Sequence, residues 1–138
     1  MIAQLKQIIQ SANADYIVEF EESSMMNVRA DKFKKGQKWA YIEEYRQGRY
    51  YKDKYTQRKS TIIQIYFCRF TNFQNNADQR EVLRNEIEND IVLPFIDAFN
   101  VSGQFERVDE WQFFTPLPRF DANEVSIMLQ FDLRMIRC

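Results

Sequence analysis

Histidine is absent from all 138 residues, which removes the commonest general base and the commonest metal ligand together. Carboxylates, tyrosines and two cysteines are what remains for chemistry. Glu43–Glu44 and Asp109–Glu110 are adjacent pairs on strand-like runs. Successive strand residues point to opposite faces, so neither pair makes a shared acid/base site by itself. Glu86, Glu88 and Asp90 follow one another at two-residue spacing in a helical run and read as solvated acids rather than a cluster. Cys68 has no histidine to activate it and is flanked by Phe67 and Phe70, the setting of a buried, inert thiol. Cys68 and Cys138 cannot supply a zinc set, and the sequence leaves open whether they bridge. No nucleophile elbow, phosphate-binding glycine loop or dinucleotide fingerprint is present. The chain therefore reads as non-enzymatic, with no catalytic, metal or cofactor site.

One segment is different. Arg46, Arg49, Lys52, Lys54, Arg58 and Lys59 are interleaved with Tyr50, Tyr51 and Tyr55, just after Tyr45. Cations neutralise phosphates and tyrosine rings stack on bases, so this is a candidate nucleic-acid module. Tyrosine also favours strands and lysine guards exposed edges, so the same residues suit an extended β-hairpin arm. A third reading makes the arm a contact that docks on a neighbouring subunit. Charge is divided along the chain accordingly. Residues 28–59 hold eleven Lys/Arg against four Asp/Glu, a net +7, and the remainder eight against sixteen, a net −8, together the overall −1. Such a chain can present opposite fields on two surfaces.

These residues must be held by a scaffold, and hydrophobic periodicity outlines it. Ile2, Leu5, Ile8 and Ile9 predict a short amphipathic helix ending near Asn13. DYIVEF and KWAYIEEY read as strands, the second with Trp39, Tyr41 and Tyr45 on one side and Ala40 and Ile42 on the other. STIIQIYFCRF is apolar in both registers, as a central strand covered on both faces is. The stretch from Asn76 to Asn100 is the best helix, with Asn76 as N-cap. Its stripe is Leu83, Ile87, Ile91 and Phe95, widened by Val82, Val92, Ile96 and Phe99, and Pro94 should kink its last turns. QFERVDEWQFF reads as a strand, TPLPRFDA as a rigid loop, and NEVSIMLQFDLRMI as the most regular strand. In that last run Val125, Ile127, Leu129, Phe131, Leu133 and Met135 share one face. The expected fold is a single α+β domain over 1–138, in the order α-β-β-β-α-β-β. Its mostly antiparallel sheet carries the N-terminal helix and the long helix on one face.

Composition agrees with that scaffold. Twelve Phe, seven Tyr and two Trp supply core bulk, while three Gly and three Pro are too few for a turn-dense barrel or a flexible linker. No run is long and apolar enough for a membrane span, the N-terminus lacks the form of a signal peptide, and two cysteines suit a reducing compartment. The expectation is a cytoplasmic protein. A small-molecule pocket between sheet and helix, lined by aromatics such as Trp39 and Trp111, is a further option for which no residue set names a ligand.

The order of these elements, from the N-terminal helix through KWAYIEEY, STIIQIYFCRF and ADQREVLRNEIENDIVLPFIDAF to the closing strands, resembles the tail-terminator (tail-completion) proteins of long-tailed phages. QIYFCRFTNF through FTPLPRFDANEVSIMLQFDL is also similar to proteins encoded in prophages. The resemblance implies a virion protein that forms a homo-oligomeric ring, commonly a hexamer, with tail-tube or head-connector proteins as further partners. Such a ring repeats one head-to-tail interface in which two different patches meet. The length of the 46–59 arm and Pro94 depart from the family's pattern, which leaves open a neighbouring virion role such as a head–tail connector. The resemblance carries over no functional residue.

Overall fold

The computed structural model describes residues 2–21, 38–43, 47–55, 57–70, 77–115 and 124–135. In chain order its elements are α1 (Ile2–Ala12), β1 (Ile17–Glu21), β2 (Lys38–Glu43), β3 (Gly48–Lys52) and β4 (Gln57–Phe70). Then come α2 (Ala77–Ile87), a π-helical turn (Glu88–Val92), α3 (Leu93–Ser102), β5 (Gln112–Phe114) and β6 (Glu124–Arg134). The architecture is α+β. Compared with the expected order, one strand is added: β3 lies inside the basic, tyrosine-rich stretch, as the hairpin-arm reading of it expects.

β4 sits in the middle of a six-stranded sheet ordered β1-β2-β4-β6-β5, with β3 paired to β4 off that row. Its two-sided apolar pattern explains the position. Ile63, Ile65 and Phe67 are buried on the face that carries the helices, and Tyr66 and Cys68 are buried on the other. One edge pairs with β6 from Ser60↔Arg134 to Phe70↔Glu124. The other edge is shared, with β2 opposite Ile65–Arg69 and β3 opposite Gln57–Thr61. All pairings are antiparallel except β1 with β2, which run parallel.

α1, α2 and α3 cover one face. Leu5 and Ile9 of α1, and Ile87, Ile91, Phe95 and Phe99 of the long helix, are fully buried against Ala40, Ile42 and the inward side chains of β4 and β6. The alternation in β6 is as the sequence reads it, with Val125 through Leu133 buried and Met135 emerging at the end. Each such side chain contributes on the order of 1.5–3 kcal/mol by leaving water.

The long helix does more than kink at Pro94. A stripe at four-residue spacing drifts about 40° per step around an α-helix of 3.6 residues per turn. Widening Glu88–Val92 to a π turn, closed by Leu93 N–H on the Glu88 carbonyl, takes up that drift. Ile87, Ile91, Phe95 and Phe99 therefore stay on one line. Pro94 lies in the first turn of α3, and the carbonyl it cannot serve, four residues back, is that of Asp90. Val82, expected on the stripe, is 57% exposed. Gly103 ends α3 in the left-handed conformation at φ 69°, the common helix stop.

The strand expected over QFERVDEWQFF is reduced to Gln112–Phe114 and a bridge from Phe105 to Met135. Between them α3 claims the main chain. Asn100 accepts from Val108 N–H at 3.1 Å through Oδ1 and donates to the Val108 carbonyl at 3.2 Å through Nδ2. Trp111 Nε1 donates to the same carbonyl at 3.0 Å. A residue held this way from a helix cannot serve a strand ladder. Trp111 then packs 4.5 Å from Phe131 and edge-on to Phe99.

The expected cap Asn76, the loop TPLPRFDA beyond Thr115, and Tyr45 and Cys138 lie outside the described residues. Cys68 is buried and forms no disulfide among the described residues. Among the described residues no helix is long and apolar enough to cross a membrane.

Candidate interaction surface

The basic, tyrosine-rich segment forms a hairpin from β3 and the first part of β4. Arg49, Tyr50, Tyr51 and Lys52 are on β3, Lys54 and Tyr55 in the connection, and Arg58 and Lys59 on β4. Arg46 lies outside the described residues. The connection is tied by Asp53 Oδ1, which accepts from Tyr55 N–H at 2.8 Å, a short side-chain-to-backbone turn of the kind Asp favours.

Gly48 anchors the base of the hairpin. It faces Thr61, and a Cβ built there would lie 2.6 Å from the Ser60 carbonyl oxygen, too close for any side chain. Ile62 N–H donates to the Gln47 carbonyl at 2.9 Å just beyond. Above this base β6 ends its pairing at Ser60, so Tyr50–Lys52 and Gln57–Lys59 form a two-stranded arm. At about 3.3 Å per strand residue the arm with its connection reaches about 15 Å past the last three-strand contact.

Strand alternation divides the candidate residues between two sides. Tyr50 pairs with Lys59, whose ammonium lies 5.8 Å from the ring centre, on the helix-bearing side. Tyr51 pairs with Arg58, and Arg49 with Ser60, on the other. Lys54 stands 5.6 Å over its neighbour Tyr55. A hydrogen bond and charge interaction with Tyr51, and after them the charge of Asp132, hold the Arg49 guanidinium proton above its ordinary affinity. The arm is therefore a rod with cations and aromatics on both sides, not a single basic face. Tyr50, Tyr51 and Tyr55 are 76%, 44% and 86% exposed, a large area of ring for water to cover.

Beside the arm, where β6 ends, is a groove of about 690 Å³ lined from both sides of the sheet. Thr61, Leu133, Met135 and Tyr50 give it apolar surface, and Arg58, Lys59, Arg134 and Glu106 its charge. Arg58 and Glu106 approach to 3.9 Å. On the side of the sheet away from the helices, glutamines 64, 130 and 112 form a ladder across β4, β6 and β5, donating at 2.9 and 3.1 Å.

The acids weighed for chemistry fall into other roles. Glu43 is buried at the end of β2, and Glu44 is outside the described residues. Asp109 and Glu110 are exposed and lie just before β5 instead of within a strand, with Asp109 2.8 Å from Arg107. Glu86 and Asp90 are not merely solvated. Both meet Arg69, whose side chain is only 12% exposed, with Asp90 at 2.7 Å; Lys38 joins Asp90 at 3.4 Å. Their four-residue helical spacing was the available signal. The network pins the ends of β4 and β2 to the long helix, beside Tyr16. Burial pushes the Tyr16 phenol up to about 12, against the pull of the Arg69 guanidinium beside it. Among the described residues no group of three or more Cys, Asp or Glu is placed to hold a metal. Trp39 points away from the helices and Trp111 toward them, so the two tryptophans line no common pocket.

No protein-family model matches the chain, and no curated protein is similar to it.

Proposed function

We propose that this chain is a non-enzymatic structural subunit that assembles through its β3–β4 arm into a homo-oligomeric ring. Its place would be that of a phage or prophage tail terminator, or of another head–tail joining component. The observation that carries the reading is the arm itself, with three exposed tyrosines and five cations on a hairpin that extends beyond the rest of the sheet. A two-stranded projection adds little to its own fold, and aromatic rings exposed at this density belong at contacts between proteins. The resemblance in element order supplies the virion setting. A head-to-tail ring needs two unlike patches on each subunit, and the separation of basic and acidic residues along the chain suits that requirement.

The test is electron microscopy of the purified full chain, alone and with the tail-tube protein encoded nearest its gene. Closed rings of fixed copy number, or caps on tube ends, are the expected result. A single-copy protein in both conditions overturns the reading, and a gene without virion-protein neighbours removes the phage assignment.

A further inference from the structure

The arm needs a surface to meet, and β5 has the matching chemistry. Among the described residues β5 pairs only with β6 and ends the row of strands. Phe113 and Phe114 on this edge strand are 69% and 47% exposed, one on each side of the sheet. Adjacent exposed phenylalanines on an unpaired edge are a feature that isolated subunits ordinarily avoid. Just before them stand Asp109 and Glu110, both exposed, with Arg107 2.8 Å from Asp109, and residues 109–114 themselves hold no cation.

The groove beside the arm is the complement. Its apolar floor is Leu133 and the half-exposed Met135, and its rim carries Arg58, Lys59 and Arg134 against the single acid Glu106. Two such grooves bring cation against cation, which disfavours a two-fold contact of groove with groove. Groove against edge satisfies both the charge and the exposed rings.

We propose that the β5 edge of one copy, led by Phe113 with Asp109 and Glu110 beside it, docks in the arm groove of a second copy. This rests on the assembly reading above and names the interface that reading requires. Arg58 and Lys59 set orientation by facing Asp109 and Glu110, while Phe113 on Met135 and Tyr50 supplies the desolvated contact. Because the two patches differ, each docked copy leaves one groove and one edge free, and addition continues until rotation closes the ring.

Two full-length variants test this by sedimentation velocity, with circular dichroism confirming each fold. One reverses the groove, Arg58→Glu with Lys59→Glu, and the other reverses the edge, Asp109→Lys with Glu110→Lys. Each alone should lose self-association by about tenfold or more. Mixed in equal amounts they should associate in alternation, since the groove of each variant then meets the edge of the other with opposite charge. All four changes in one chain should restore association. If the edge variant associates as the wild type does while an arm variant with Tyr50, Tyr51 and Arg49 changed to Ala does not, this contact is wrong and the assembly reading stands. If neither variant changes association, both fall. A mixture that yields no complex, or a wild type that stays single-copy throughout, overturns the contact.

Discussion

Asn13 Nδ2 donates to the main-chain carbonyl of Asp90 at 3.2 Å, the acceptor that Pro94, lacking an N–H, leaves without its regular α-helical donor. The end of α1 thereby closes a gap in the long helix, at the turn where the helix widens. Asn13→Ala should cost about 1 kcal/mol. In a Pro94→Ala background the cost should shrink, because position 94 regains an N–H for that carbonyl. A double-mutant cycle by urea unfolding reads the difference, and equal costs in the two backgrounds would show that the residues are not coupled.

Ile91 and Val82 separate the buried stripe from its expected margin. Ile91→Ala removes a fully buried side chain and should lose about 2–5 kcal/mol. Val82→Ala, at a position 57% exposed, should change stability by no more than about 0.5 kcal/mol. Similar losses at both positions would mean that the helix sits on the sheet with a different face from the one described.

Most of the scaffold is legible in the sequence because it follows from period alone. β4 and β6 announce themselves by two-sided and one-sided apolar runs, and the structure places Ile63–Phe67 and Val125–Leu133 accordingly. What period cannot show is competition for the backbone. Asn100 takes both main-chain groups of Val108, and so ends a run whose composition favours a strand. Nor does period show partners distant in sequence: Arg69 reaches Asp90 across 21 residues, turning two apparently solvated acids into an anchor. The arm is legible as a basic tyrosine segment whose residue types suit a hairpin. Its division into two sides came only with the register Tyr50↔Lys59 and Tyr51↔Arg58. In the sequence the pair Phe113–Phe114 reads as ordinary strand, since exposure is a property of what fails to cover a residue.

Tyr16 makes stability depend on alkaline pH. Its phenol is 2% exposed, and its affinity for the proton rises from 10.0 to about 12 on folding. The folded state thus holds the proton more tightly than the unfolded state. The associated stability is fully present below pH 10 and is lost as pH rises toward 12, by on the order of 2–3 kcal/mol for this group. Urea midpoints measured across that window should fall more steeply for the wild type than for Tyr16→Phe. Parallel curves would place the titration elsewhere.

Gly48 controls whether the arm is held to the sheet. A methyl group there meets the Ser60 carbonyl oxygen at 2.6 Å, and main chain cannot yield as a flexible side chain does. Gly48→Ala should cost about 1–3 kcal/mol. The damage should appear locally, as faster hydrogen exchange at the Ile62 amide, which is bonded to the Gln47 carbonyl. An unchanged exchange rate there would mean that the hairpin base does not need the close approach.

Nucleic acid is the rival occupant of the arm, and its physics gives a distinct signature. Stacking bases need free ring faces along a continuous cationic track. Here Lys59 already stands over Tyr50, Lys54 over Tyr55, and the cations are split between two sides. Mixing the protein with single- or double-stranded DNA in moderate salt should therefore give no specific complex. Neutralising Arg49, Lys52 and Arg58 should leave whatever weak binding exists with nearly the same salt dependence. Tight binding that weakens steeply with salt, with the slope falling by about one for each cation removed, would transfer the arm from protein assembly to phosphate recognition.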